Sequence, residues 1–157
     1  MNSRMNVCLG GTFHPFHKGH KELLRTAYQT AGQNGSVFIG ITSSSMKTKD
    51  GNTPSFETRK EVIENFLKEE KVLHQTIIRR LIDKYGPTIE GDFDAIIVSP
   101  ETKSTAEEIN TKRKQLGRKP LEIIVIPFVL SANGKPISST RIRRNEIDEN
   151  GNLLRQE

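Results

Sequence analysis

The 157-residue chain has no tryptophan, two tyrosines and a single cysteine. One cysteine excludes a disulfide framework and a thiolate metal cluster. Cys8 lies in the first apolar run, where an inert buried thiol is the expected reading. Aromatic residues are only 6% of the sequence and do not interleave with basic ones, which argues against stacking on single-stranded nucleic acid. No apolar run approaches the roughly 20 residues of a membrane helix. The start, MNSRMNVCLGG, is too short and too strand-like for a signal peptide, so the cytoplasm is the expected compartment. Internal repeats and low-complexity segments are absent.

Hydrophobic residues make up 33% and charged residues 27%, the balance of one globular domain over 1–157. The net charge of +5 permits an anionic partner: nucleic acid, a membrane surface or phosphorylated small molecules. The scarcity of aromatics favours the last.

Apolar runs and helical spacings alternate along the chain. MNVCL reads as a first strand running into Gly10 and Gly11. Leu23, Leu24, Ala27 and Ala31 give a helix over 18–31, stopped by Gly32 and Gly35. SVFIGIT is a second buried strand, followed by a long polar loop over 43–55. A helix is expected over 56–70 with Val62, Ile63, Phe66 and Leu67 on one face. TIIRRLID fits strand or helix, with its β-branched start favouring strand. Strands over 93–99 and 121–128 flank a polar helix over 105–116. A short basic helix over 139–147 precedes a tail, from Asp148, expected to fray. Continuous apolar strands alternating with helices predict a Rossmann-like α/β fold: a parallel sheet of about five strands with helices on both faces. Ligands of such sheets bind beyond the carboxyl ends of the strands.

GGTFHPFHKGH follows the first strand. With a helix starting near His17, His17 and His20 share a face of its first turn. That turn carries free N–H groups and the positive end of the helix dipole. Gly19 leaves room for close approach, and Thr12 adds a hydroxyl. This constellation fits an anion whose charge grows in a transition state. Two other readings stand beside it. His14, His17 and His20 could ligate zinc, although Pro15 interrupts any helix through His14 and no carboxylate stands near to orient the rings. The histidines could also simply cap the helix.

A second constellation, PISSTRIRR, lies near the end. Ser138, Ser139 and Thr140 offer hydroxyls at a helix start, and Arg141, Arg143 and Arg144 follow. Hydroxyls, backbone donors and arginine together suit a polyphosphate.

Gly-Thr-Phe, then His17-Lys-Gly-His20, then ISSTRIR in that order resembles the nucleotidylyltransferase superfamily, with its T/HxGH and ISSTxIR motifs. Within it the chain is similar to the archaeal and eukaryotic type of phosphopantetheine adenylyltransferase, through IGITSSSMKTK, FETRKEVIENFL, IIVSPETKSTAEEINTKR and KPLEIIVIPF. The resemblance covers nearly the whole chain. It implies transfer of AMP from ATP to 4′-phosphopantetheine, with Mg2+ carried on the substrate and no protein metal site. It further implies that His17, His20 and Lys47 are catalytic. Gly11, Thr12, Phe13, Gly19, Ser138, Ser139, Thr140 and Arg143 would bind ATP. Thr12, Arg59, Glu101, Asn110 and Arg113 would face the acceptor. Many relatives have aspartate where this chain has His14, and Lys49 lies close enough to Lys47 to share its assignment. Arg59 reads equally as a solvated helix residue. Asn110 and Arg113 suit a helix surface, and Glu101 a helix cap. A cytidylyltransferase or a nicotinamide-mononucleotide adenylyltransferase shares the same triphosphate motifs. A non-catalytic nucleic-acid module and a metal-dependent hydrolase are the readings from other classes.

Overall fold

The computed structural model describes residues 4–43 and 53–154. Strands β1 (Asn6–Gly11), β2 (Ser36–Thr42), β3 (Thr76–Leu81), β4 (Ala95–Val98) and β5 (Glu122–Val125) form one sheet in the order β3-β2-β1-β4-β5. Every pairing is parallel. Helix α1 (Lys18–Ala31) connects β1 to β2, α2 (Phe56–Glu69) precedes β3, α3 (Lys103–Gln115) connects β4 to β5, and α4 (Ser139–Arg143) follows the sheet.

Both sheet faces are covered, which is why the strands read as continuous apolar runs. Val7, Leu9, Val37, Ile39, Ile41, Ile78 and Ile97 pack against Leu24, Ala27 and Ala31 of α1 and Ile63, Phe66 and Leu67 of α2. Cys8, Ile96 and Val98 face the other way, onto Ala106 and Ile109 of α3. Burial pushes the Cys8 thiol up to about 12, so it is an inert core group. α1 ends at Gly32, whose positive φ of 76° suits glycine and whose N–H reaches the Tyr28 carbonyl at 3.0 Å.

Most sequence expectations hold, including strand for the TIIRRLID segment, which is strand over Thr76–Leu81; three are corrected. Val62 is 42% exposed; Arg59 instead joins the inner stripe of α2, one turn before Ile63. β5 stops at Val125, just before Ile126 and Pro127, since proline has no N–H for the ladder. The tail from Asp148 is tied down through residue 154: the Asp148 carboxylate accepts from the Asn150 and Asn152 amides, and Ala132 N–H donates to the Gly151 carbonyl at 2.8 Å. Local polarity predicted fraying; long-range backbone bonds prevent it.

The chain visits β1, β2 and β3 on one side of the sheet and then crosses to β4 and β5 on the other. The order therefore reverses between β1 and β4, and a crevice opens beyond their carboxyl ends. Among the described residues no helix is long and apolar enough to cross a membrane.

Candidate active site

A cavity of about 590 Å³ occupies that crevice. Its walls come from the β1–α1 turn (Gly11, Thr12, Phe13), the start of α1 (His17, Gly19, His20), the turn after β4 (Glu101) and the start of α4 (Ser138, Ser139, Thr140). Two sequence motifs separated by more than a hundred residues thus meet at one hollow. Phe13 turns the chain there with a φ of 55°, a rare conformation for a bulky side chain, and its ring is buried beside His20 at 5.2 Å.

The two histidines form a reciprocal cap. Gly19 N–H donates to His17 Nδ1 at 3.0 Å, and His17 N–H donates to His20 Nδ1 at 3.2 Å. Accepting at Nδ1 leaves the proton of each neutral ring on Nε2. The rings stack with centroids 3.8 Å apart. The pair therefore offers two Nε2–H donors side by side. Capping occupies only Nδ1 of each ring, so the capping and anion-binding readings of the sequence do not exclude each other. A Cβ on Gly19 would come within 2.8 Å of the His17 ring, which explains the glycine between them.

One expectation changes. The first-turn amides of α1 are not the anion donors: Lys18 N–H donates to the Glu149 carbonyl at 2.9 Å and Gly19 N–H to His17. His14 lies before the helix, and among the described residues no group of three His, Cys, Asp or Glu is placed to hold a metal.

Burial pushes His17 from 6.5 down to about 4, and burial together with the neighbouring His17 and His14 pushes His20 down to about 3. Both rings are neutral donors near pH 7. The unfolded chain binds these protons near pH 6.5, the folded chain only near 3–4. Keeping the pair neutral thus costs nothing above about pH 6.5; stability falls as the pH drops from there and levels off near pH 3, where the folded chain binds the protons too. The melting temperature of the wild type should fall over that window, and that of a His17→Asn/His20→Gln double variant should fall less. Parallel curves would refute the assignment.

At the other wall, Ser138 Oγ accepts from Arg141 N–H at 3.2 Å, leaving the hydroxyl proton available to the cavity. Arg141 itself turns inward: its guanidinium donates to the Pro136 carbonyl, Ser131 Oγ and Asn133 Oδ1, holding the loop before α4. Arg143 stands one turn beyond Ser139, with Nη2 3.5 Å from Thr140 Oγ1. The basic stretch is therefore not a uniform solvated stripe.

Residues 8–145 match the family described as cytidylyltransferase-like. The chain belongs to the cytidylyltransferase-like family. It is 44% identical over 151 residues to the phosphopantetheine adenylyltransferase of Methanosarcina mazei, covering 96% of this chain and 97% of that one. It is 37% identical to the phosphopantetheine adenylyltransferase of Archaeoglobus fulgidus, covering 96% and 100%. A crystal structure of an A. fulgidus protein of unknown function superposes with a TM-score of 0.71 at 34% identity, over 78% of this chain and 89% of that one.

Not every residue expected at this cytidylyltransferase-like site stands there. Arg113 is buried, donating to the Lys119, Thr88, Ile89 and Gly91 carbonyls. Asn110 makes a two-way bond with the Leu121 backbone, where the chain enters β5. Both lie toward the amino ends of the strands, opposite the crevice, and are structural. Arg59 is 1% exposed, so it is neither solvated nor on a cavity wall. Glu101 is exposed at the rim. Lys47 and Lys49 lie outside the described residues.

Sequence reasoning missed a second, apolar cavity of about 190 Å³ on the α3 side of the sheet. Gly10 and Gly40 are register partners on β1 and β2 and leave a hollow that Leu81 only partly fills; a Cβ on Gly40 would meet Leu81 at 2.6 Å. Ile96, Val98, Ala106 and Ile109 line the cavity from β4 and α3, and Thr42 from the end of β2. A glycine inside each of two buried strands was the available signal, because such glycines often mark close approach of a ligand.

Proposed function

We propose that the chain transfers AMP from ATP to 4′-phosphopantetheine, releasing pyrophosphate and forming dephospho-coenzyme A. The observation that carries this reading is the meeting of the two cavities: the polar and the apolar one share Gly10, Gly11 and Thr102. A polar hollow lined by imidazoles and hydroxyls suits a triphosphate. An apolar groove continuous with it suits an acceptor with a phosphate at one end and a largely uncharged arm behind it. The relatives named phosphopantetheine adenylyltransferase support the same pairing.

The acceptor's phosphate monoester has a second pKa near 6 and is largely dianionic at neutral pH. Its oxygen attacks the α-phosphorus in line, the bond from that phosphorus to the bridging oxygen breaks, and pyrophosphate leaves with the electron pair. No general base is needed. The work lies in bringing two anions together and stabilising charge on the α-phosphate.

His17 and His20 are proposed to donate their Nε2–H groups to the α-phosphate oxygens. Because both rings are held by their Nδ1 bonds, their donors need no reorganisation as charge develops. Ser138, Ser139, Thr140 and Arg143 hold the departing phosphates, and Gly11, Phe13 and Gly19 shape the approach. Thr12 meets the acceptor phosphate, and Lys47 is assigned to the transferring phosphate. Glu101 is the carboxylate at the rim of the polar cavity. That donor-rich set does not make a resident metal site, so magnesium belongs to the substrate, as MgATP, neutralising the triphosphate.

The test is pyrophosphate release from MgATP with and without 4′-phosphopantetheine. Acceptor-dependent release with ATP, and little with CTP or with nicotinamide mononucleotide as acceptor, is the expected result. Turnover with CTP or with nicotinamide mononucleotide in its place would overturn the named substrates and keep the chemistry.

A further inference from the structure

Arg59 is the largest side chain in the fully buried set, yet it lines neither cavity. Its Nε donates to the Pro54 carbonyl at 2.9 Å and the Ser55 carbonyl at 3.3 Å, anchoring it at the start of α2. Its Nη1 donates to the Thr12 carbonyl and to Thr42 Oγ1, both at 3.2 Å. Thr42 Oγ1 in turn donates to Thr12 Oγ1 at 3.2 Å. Nη2 is buried with no hydrogen-bond partner among the described residues. A buried guanidinium with an unmatched donor is costly, so its retention calls for a reason beyond packing.

The direction of these bonds follows from chemistry. Guanidinium only donates, so Thr42 Oγ1 must accept from it. The single hydroxyl proton of Thr42 then goes to Thr12 Oγ1. Thr12 Oγ1 accepts that proton, and its own proton is directed away from the Arg59–Thr42 side. Thr12 lines the polar cavity, whereas Thr42 lines the apolar one, so the pair sits where the two meet. Each bond polarises the next, and the chain begins at a fixed positive charge.

We propose that Arg59 and Thr42 are positioning residues that orient the Thr12 hydroxyl as a donor to the acceptor's phosphate. Arg59 thus serves the acceptor from behind Thr12, without touching it. The proposal rests on the adenylyl-transfer reading above and adds a residue, Thr42, and a direction of hydrogen bonding to it. It also makes a claim that packing alone does not: the effect of Thr42 is specific to the acceptor's phosphate.

The experiment measures binding of 4′-phosphopantetheine and of pantetheine, which lacks the phosphate, to wild type, Thr42→Val and Thr42→Ser. Valine keeps the β-branched shape suited to β2 and removes the hydroxyl; serine keeps the hydroxyl. Thr42→Val should weaken 4′-phosphopantetheine binding by about 10–100-fold, the range for losing a hydrogen bond to a charged group. Pantetheine should lose much less affinity than 4′-phosphopantetheine, the KM for ATP should be unchanged, and Thr42→Ser should retain near-wild-type selectivity. Equal binding of 4′-phosphopantetheine by wild type and Thr42→Val overturns the relay while leaving the reaction intact. Equal weakening of both ligands also overturns it, because it shows a structural role. Wild type that does not bind 4′-phosphopantetheine at all overturns the reaction reading and the relay with it.

Discussion

His17→Asn should lower kcat by about 10²–10³-fold, the effect of removing one preorganised donor to a charged transition state, while the melting temperature stays close to that of the wild type. Asparagine is among the best N-cap residues, and its side-chain oxygen can accept the Gly19 N–H that His17 Nδ1 accepts in the structure. It cannot reproduce the Nε2–H. His17→Ala removes both functions. Its kcat should fall as far, and loss of the cap should also cost about 1 kcal/mol of stability, or roughly 2–4 °C in a chain of this size. His20→Gln extends the same logic to the third helical position, where glutamine completes a capping box by reaching back to the N-cap amide. Thermal denaturation alongside steady-state rates separates the outcomes. Unchanged kcat in His17→Asn and His20→Gln would leave the histidines as caps only.

Arg113→Met should do the opposite: a large loss of stability with acceptor KM and kcat close to wild type. Arg113 is 4% exposed, and its donors satisfy the carbonyls of Lys119 at 2.8 Å, Thr88 at 2.9 Å, Gly91 at 3.0 Å and Ile89 at 3.2 Å. Methionine fills part of the volume and leaves those carbonyls without their donor. Each buried, unsatisfied group costs about 1–3 kcal/mol, so a total of about 3 kcal/mol or more is expected. That corresponds to a fall in melting temperature of roughly 6–12 °C. The sequence resemblance placed Arg113 at the acceptor. A variant with an intact melting temperature and a raised acceptor KM would restore that role and contradict the geometry.

The three arginines that sequence reading left exposed or ligand-facing have one lesson in common. Arg59, Arg113 and Arg141 all turn inward onto backbone carbonyls. Their local patterns look like wet helix faces. Arg59 even sits on the inner stripe of α2, where apolar spacing had selected Val62. Whether a guanidinium meets solvent, ligand or carbonyl depends on what the fold carries to it, and for Arg59 and Arg113 that includes residues 20 or more positions away. The tail from Asp148 misled for the same reason, since its long-range anchors, Ala132 N–H to the Gly151 carbonyl and Lys18 N–H to the Glu149 carbonyl, are backbone groups that carry no sequence signal.

The sequence by itself determined the sheet buried on both faces, because only strands covered twice need continuous apolar runs. It also determined where α1 and β2 begin and end, through spacing, caps and glycine. The two phosphate-type motifs and their order were legible because their chemistry is written in residue type. Tertiary structure alone decided which nitrogen of each imidazole faces the crevice, since the tautomer follows from the amide each Nδ1 accepts. It alone opened the apolar groove, by setting Gly10 against Gly40 across two strands. And it alone placed Arg59 behind Thr12 and Thr42, because the direction of a buried hydrogen-bond chain exists only once its members are in contact.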